Sequence, residues 1–250
     1  MIIQSDYHIH ATYYRPKEIR DDSFPNAREQ VNAARAAGSR FIGILEHCKD
    51  NHPRHPFYCL EDLSAEYYAP GFDRENVWLG VEADLAEDGS DACGKAGREK
   101  LRLHYVIGSV HLAPPAIEDV KDYIVSEYKR ISNALKYNAN VDIIGHPFGE
   151  GMRWENSGNV AKWEWSLIPQ EYLDDIIRLA RDNGKALEIN RSNISDPVFR
   201  DFMLRIRDEK VLWSVGSDAH TTDVTMMAAE RTGMLEELGF SEEQHWRINK

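Results

Sequence analysis

Histidines dominate the chemistry this chain could do. It has ten, and six of them lie at or just beyond stretches rich in Ile and Val. They are His8 and His10 in Asp6-Tyr7-His8-Ile9-His10, His47 after Glu46, His111 closing Gly108-Ser109-Val110-His111, His146 in Gly145-His146-Pro147, and His220 in Gly216-Ser217-Asp218-Ala219-His220. Glu82 and Asp84 end a further apolar run, and Glu188, Asn190 and Arg191 end another. Neutral imidazoles mixed with carboxylates suit Zn, Mn or Fe, and a carboxylate can bridge two cations. On an extended segment the H-x-H spacing sends both rings to one side, which helps to chelate one ion. A lone histidine at such a position is usually structural. Six of them beside Glu82 and Asp218 exceed what one ion needs, and two or three divalent ions are expected.

The elements that must position these residues alternate. Strand-type runs cover residues 2–6, 40–45, 77–81, 105–109, 141–145, 186–189 and 211–215, most with little polar alternation, as in strands buried on both faces. Helical patterns cover 26–37, 118–138, 170–183 and 223–238, and Ser195 stands as a cap before Pro197 in another. Strand–helix alternation implies parallel strands joined by crossovers. Such units fit either a closed barrel or an open doubly wound sheet. In a barrel the histidines and carboxylates all fall at the C-terminal face, where that architecture builds its sites. Two stretches, 87–102 and 147–169, lack periodicity and read as loops of one domain spanning 1–250. The second holds Trp154, Trp163 and Trp165, either as a wall of the site or as a small satellite core.

The ordered blocks resemble the polymerase and histidinol phosphatase (PHP) superfamily, and most of all its histidinol-phosphatase-like members. They are Asp6-Tyr7-His8-Ile9-His10, Glu46-His47, Gly80-Val81-Glu82-Ala83-Asp84, the segment 106–111, the segment 142–147, Leu187-Glu188-Ile189-Asn190 and the segment 216–220. The resemblance implies a distorted (β/α)7 TIM-like barrel with the metal site at the C-terminal face of its strands. It implies one ion on His8, His10, Glu82 and Asp218, a second on Glu82, His111 and His146, and a third position with His47 and His220. The implied activity is hydrolysis of a small phosphomonoester, histidinol phosphate first among candidates, by a metal-activated hydroxide. Asp218 and His220 serve catalysis in that reading, with His220 protonating the leaving group if it does not hold a metal.

The chain departs from the family pattern after His10. Arg15, Pro16 and Lys17 stand where a further third-metal ligand is expected. Either a cation replaces the third ion there, or Glu18, Asp21 or Asp22 supplies the ligand. Glu46 replaces the more usual Asp. Arg191 suits two-point phosphate recognition, Lys17 a substrate contact, and Asp6 and Asp84 either the orientation of metal-bound rings or a structural role. Glu188 and Asn190 suit the same orienting role. His52, His55, His104 and His245 read as outside the chemistry.

Bulk properties narrow the partners. The formal net charge of −12 argues against a broad nucleic-acid surface. No run of apolar residues is long enough to cross a bilayer. Three cysteines without a C-x-x-C pair, and an N-terminus unlike a signal peptide, fit a cytoplasmic protein. A small phosphorylated substrate is the expected partner. The rival functions are hydrolysis of a phosphodiester or a C–N bond, and metal-binding regulation without turnover.

Overall fold

The computed structural model describes residues 2–11, 25–49, 57–112, 119–156, 162–190 and 196–248. Eight parallel strands run β1 (Ser5–His10), β2 (Phe41–Leu45), β3 (His47–Cys48), β4 (Val77–Asp84), β5 (Tyr105–Ser109), β6 (Ile143–Ile144), β7 (Ala186–Ile189) and β8 (Leu212–Val215). The hydrogen-bonded order is β1-β2-β4-β5-β6-β7-β8, and the short β3 continues the path of β2 alongside β4. The two edges meet where Ile9 bridges Ala219, with His10 N–H donating to the Ala219 carbonyl at 2.9 Å. This closes the curl of the sheet, and of the two architectures left open by the sequence it selects the barrel.

Helices α1 (Ala27–Ala36), α2 (Tyr58–Tyr68), α3 (Gly94–Leu101), α4 (Val120–Tyr137), α5 (Gly151–Asn156), α6 (Gln170–Asp182), α7 (Pro197–Asp208) and α8 (Met227–Glu237) lie between the strands. In α6, Leu173, Ile176, Ile177 and Ala180 share one buried face, the spacing that a 3.6-residue period dictates. A capping box of Asn26 and Glu29 starts α1. From that helix the buried Gln30 amide donates to the His10 carbonyl at 2.9 Å, tying α1 to the barrel seam.

Strand alternation sorts side chains between two cores. In β4, Val77, Leu79, Val81 and Ala83 face the helix layer, and Trp78 faces the barrel interior with Tyr7, Tyr105 and Ile107. That parity puts Glu82 inside as well. The Tyr105 ring fills the space above Gly80, where a Cβ would lie 2.2 Å from its ring carbon. Tyr105 also donates its hydroxyl to the Tyr7 carbonyl at 2.6 Å, and Trp246 packs edge-on to Tyr7 at 5.1 Å. Aromatic rings therefore plug one end of the barrel and leave its polar residues at the other.

Several elements depart from the sequence expectation. The first strand runs from Ser5 to His10, so His8 and His10 lie within it. Its pairing with β2 slips by one residue between Asp6 and Ile9. Such a bulge re-aims side chains: Tyr7 still joins the interior core, Ile9 joins the outer one, and His8 and His10 face inward. The stretch 87–102 is not all loop, because it carries α3, and 147–169 carries α5 and a 3-10 turn at Trp165–Leu167. Glycines Gly94 and Gly97 hide α3 from propensity arguments. The cap of α7 is Asp196, whose carboxylate accepts from Val198 N (2.9 Å) and Phe199 N (3.1 Å); Ser195 lies outside the described residues. Trp163 and Trp165 are buried, the latter against Phe148, Phe199 and Phe202, and both belong to the outer core that the helices share rather than to a separate satellite; the Trp154 side chain lies outside the described residues. Among the described residues no helix is long and apolar enough to cross a membrane.

Candidate metal centre

Glu82 is the hub of the C-terminal rim. It projects from β4, is fully buried, and five histidines approach its two oxygens. His8 Nε2 (3.5 Å), His111 Nε2 (3.1 Å) and His146 Nε2 (2.8 Å) face Oε1. His10 Nε2 (3.4 Å) and His47 Nδ1 (2.7 Å) face Oε2. The other carboxylate of the cluster, Asp218, stands 3.5 Å from His8 Nε2 and 3.2 Å from His10 Nε2. It sits just beyond β8 with φ +55°, a conformation that costs energy in a non-glycine residue and concentrates at functional sites. His220 completes the rim, 3.5 Å from Asp218 and stacked on His10 at 4.2 Å between centroids.

His8 Nε2 and His10 Nε2 are 3.1 Å apart. Their contacts to Glu82 and Asp218 fall between 3.2 and 3.5 Å. A tetrahedron of bonds about 2.1 Å long has edges of about 3.4 Å. Tautomers make the same point. His8 Nδ1 lies 2.7 Å from Glu188 Oε1 and His111 Nδ1 lies 2.7 Å from Asp84 Oδ1. Ionised carboxylates only accept, so each Nδ1 carries a proton, and in the neutral ring Nε2 presents a lone pair. Those lone pairs point at Glu82 oxygens, an arrangement that needs a cation between them or a second proton on each ring. The donor set fits a divalent ion. Among the described residues, three groups of donors converge closely enough to hold one: His8 with His10 and Glu82, His47 with Glu82 and His111, and His10 with His47 and His220.

Without an ion, protons take up that charge. Burial opposes the charged form of His8, but Glu188, Glu82 and Asp218 outweigh it and hold its pKa well above the ordinary value. Burial is likewise overcome at His111, where Glu82 and Asp84 push the pKa up to about 10. The reverse holds for Glu82, whose carboxyl stays well below the usual range despite burial because His111, His47 and His8 surround it. Burial wins at His47, which is held well below the ordinary histidine value, and more mildly at His220.

The support beneath the rim is specific. Glu188 on β7 accepts from His8 through Oε1 and from the His146 backbone N–H through Oε2 at 2.8 Å. Gly216 makes room for it: a Cβ there would lie 2.0 Å from Oε1. Asp6 orients no ring. Its Oδ1 accepts the backbone N–H of His8 (3.2 Å) and of Ser217 (2.9 Å), binding β1 to the turn that carries Asp218. Burial pushes the Asp6 pKa up to about 6 against those hydrogen bonds.

All eight expected ligands, His8, His10, His47, Glu82, His111, His146, Asp218 and His220, therefore meet at one rim. Lys17, Arg191, His52 and His55 lie outside the described residues, as do Arg15, Glu18, Asp21 and Asp22. His104 and His245 are elsewhere: His104 is tied to Leu79 on the flank of β4, and His245 stacks on Trp213 with Ser5 Oγ 2.7 Å from Nε2. Sequence reasoning passed over Lys49 and Glu150. Both line the pocket above the donors, with His47, His111, His146, Asn190 and His220. Lys49 follows His47 by two residues, the same H-x-K parity that carries a side chain to the same face, and this signal was available. Glu150 comes from the turn after His146, and no local pattern marks it.

A parallel barrel with a histidine and carboxylate cluster able to hold several ions at its C-terminal rim defines the class of this protein. No protein-family model matches the chain. The DNA polymerase/3'-5' exonuclease PolX of Bacillus subtilis (strain 168) is 27% identical over 237 residues, covering 93% of this chain and 36% of that protein. The chain thus spans about a third of the length of that curated relative. Among solved structures, histidinol phosphate phosphatase (HisK) from Lactococcus lactis subsp. lactis, complexed with zinc, L-histidinol and phosphate, superposes with a TM-score of 0.61. The two share 18% sequence identity, and the match covers 96% of this chain and 95% of that one. The fold and the ordered motifs together support the resemblance to the PHP superfamily.

Proposed function

We propose that the chain acts as one unit and hydrolyses a small phosphomonoester, with histidinol phosphate as the first candidate. The observation that carries this reading is Glu82, whose two buried oxygens face separate groups of imidazole nitrogens. His8, His10, Glu82 and Asp218 would hold one divalent ion, and Glu82, His111 and His146 would hold another. His47 and His220, beside His10, belong to a third position. Zn, Mn or Fe bound there supplies Lewis acidity toward phosphoryl oxygens and lowers the pKa of water.

The remaining residues bind and move protons. Lys49 neutralises phosphoryl charge from the pocket wall, and Arg191 and Lys17 add cationic contacts to the phosphate. Where the third position is not filled, His220, about a third exposed at the mouth of the pocket, protonates the departing alkoxide, with Asp218 3.5 Å away to orient it. The liganded Lactococcus phosphatase supports the monoester reading through its fold alone. A phosphodiester is the second reading, favoured by the exonuclease named in the Bacillus relative.

Phosphate release from histidinol phosphate, p-nitrophenyl phosphate and bis-p-nitrophenyl phosphate, with added Zn or Mn, separates the readings. Turnover of the monoesters is expected, and Lys49→Ala should raise KM about tenfold with metal content unchanged. Preferred cleavage of the diester supports the second reading. Metal binding without turnover of any ester contradicts both and leaves hydrolysis of a C–N bond or a regulatory role.

A further inference from the structure

The turn after β6 holds an energetically unfavourable shape. His146 has φ +24° and Phe148 φ +55°, both in the left-handed region that residues other than glycine avoid, and Pro147 stands between them. The Gly149 N–H closes the turn on the His146 carbonyl at 2.6 Å. Conformations of this kind persist only where surrounding contacts over-determine them. Two buried carboxylates provide those contacts from opposite sides. Glu188 takes the His146 N–H at 2.8 Å, and Glu127, projecting from the buried face of α4, takes the Phe148 N–H at 2.5 Å.

Glu127 is 1% exposed. A carboxylate is costly to bury unless it is bonded, and the Tyr123 hydroxyl, one turn earlier on α4, also favours its charged form. Its bond to Phe148 therefore joins a helix outside the barrel to the turn that sends His146 toward Glu82. We infer that Glu127 is a positioning residue for His146: by accepting the Phe148 N–H it fixes the turn that brings Nε2 to 2.8 Å from Glu82.

This rests on the metal reading of the site, and the test reads binding rather than turnover. Chelator-stripped wild type, Glu127→Ala and Glu127→Gln are titrated with Zn by calorimetry, with circular dichroism as the check on folding. Wild type should bind at least two ions. Glu127→Ala should weaken one binding step tenfold or more and leave another within threefold, since His8, His10 and Asp218 are held from other strands. Glu127→Gln keeps an acceptor oxygen, so both steps should stay within threefold, a rescue that a loss of general packing would not follow. Equal Zn binding by Glu127→Ala and wild type overturns the inference alone. A wild type that binds no Zn overturns the metal reading and this inference with it. Should Glu127→Ala fail to fold, Glu127→Asp carries the test: its shorter carboxylate should weaken one step three- to tenfold, and unchanged affinity overturns the inference.

Discussion

Glu188→Gln is a small change in volume with a large expected effect, because Glu188 accepts two hydrogen bonds with two oxygens. One goes to His8 Nδ1 at 2.7 Å and the other to the His146 N–H at 2.8 Å. Glutamine has one carbonyl oxygen and one NH2, so one bond must fail. If NH2 faces His8, the ring must accept at Nδ1 and carry its proton on Nε2, which blocks the lone pair a metal needs. If NH2 faces His146, two donors oppose each other and the turn opens. A hydrogen bond to a charged group is worth about 1.5–3 kcal/mol, and loss of a ligand's outer partner typically costs 10–100-fold in metal affinity. At about 1.4 kcal/mol per factor of ten, the two figures agree. Calorimetric titration of stripped protein with Zn, with circular dichroism to verify folding, should therefore show at least one step weakened about ten- to a hundredfold. Both steps within threefold of wild type would refute the reasoning about tautomer and turn.

Other outcomes follow from the same charges. Metal ligands must be deprotonated, and in the metal-free protein His8 is held well above, and His111 at about 10, on the pKa scale. Zn loading at neutral pH should release more than one proton per chain, visible as a dependence of binding enthalpy on buffer ionisation enthalpy; no dependence would contradict it. At the other end of the barrel, burial and then Arg247 push the His245 pKa down to about 2. A histidine held neutral when folded stabilises above its unfolded value, near 6.5, and that contribution is lost as pH falls below it. Melting temperature should fall on acidification through that window, and less steeply for His245→Gln; an unchanged slope would count against the assignment. Gly216→Ala should cost metal affinity, since its Cβ would displace Glu188, and normal Zn binding by that variant would argue otherwise.

Much of the site could be read from the sequence because parallel strands present their ends in a fixed way. Once strands alternate with helices, residues following each apolar run must share one face, and Glu82, His111 and Asp218 could be collected without coordinates. The H-x-H pair was legible for its direction and not for its position, because only the bulge between Asp6 and Ile9 explains why Tyr7 and His8 both face inward. Helices α2 and α3 were missed where aromatic residues and glycines override periodicity and tertiary packing decides. Asp6 shows the limit at a single residue. Its place in Asp6-Tyr7-His8 left a bond to a ring and a structural role both open, and only the coordinates show that it binds the backbone N–H groups of His8 on β1 and of Ser217 beyond β8. Glu127 lies in the middle of a helix far along the chain from His146, so no spacing rule could have joined them.

The most direct test of the central claim is a crystal of Zn-loaded protein measured at the zinc edge. Two anomalous peaks should flank Glu82, one among His8, His10 and Asp218 and one beside His111 and His146, each within bonding distance of a different Glu82 oxygen or sharing the carboxylate. A single peak, or peaks that leave Glu82 without a metal contact, would contradict the account.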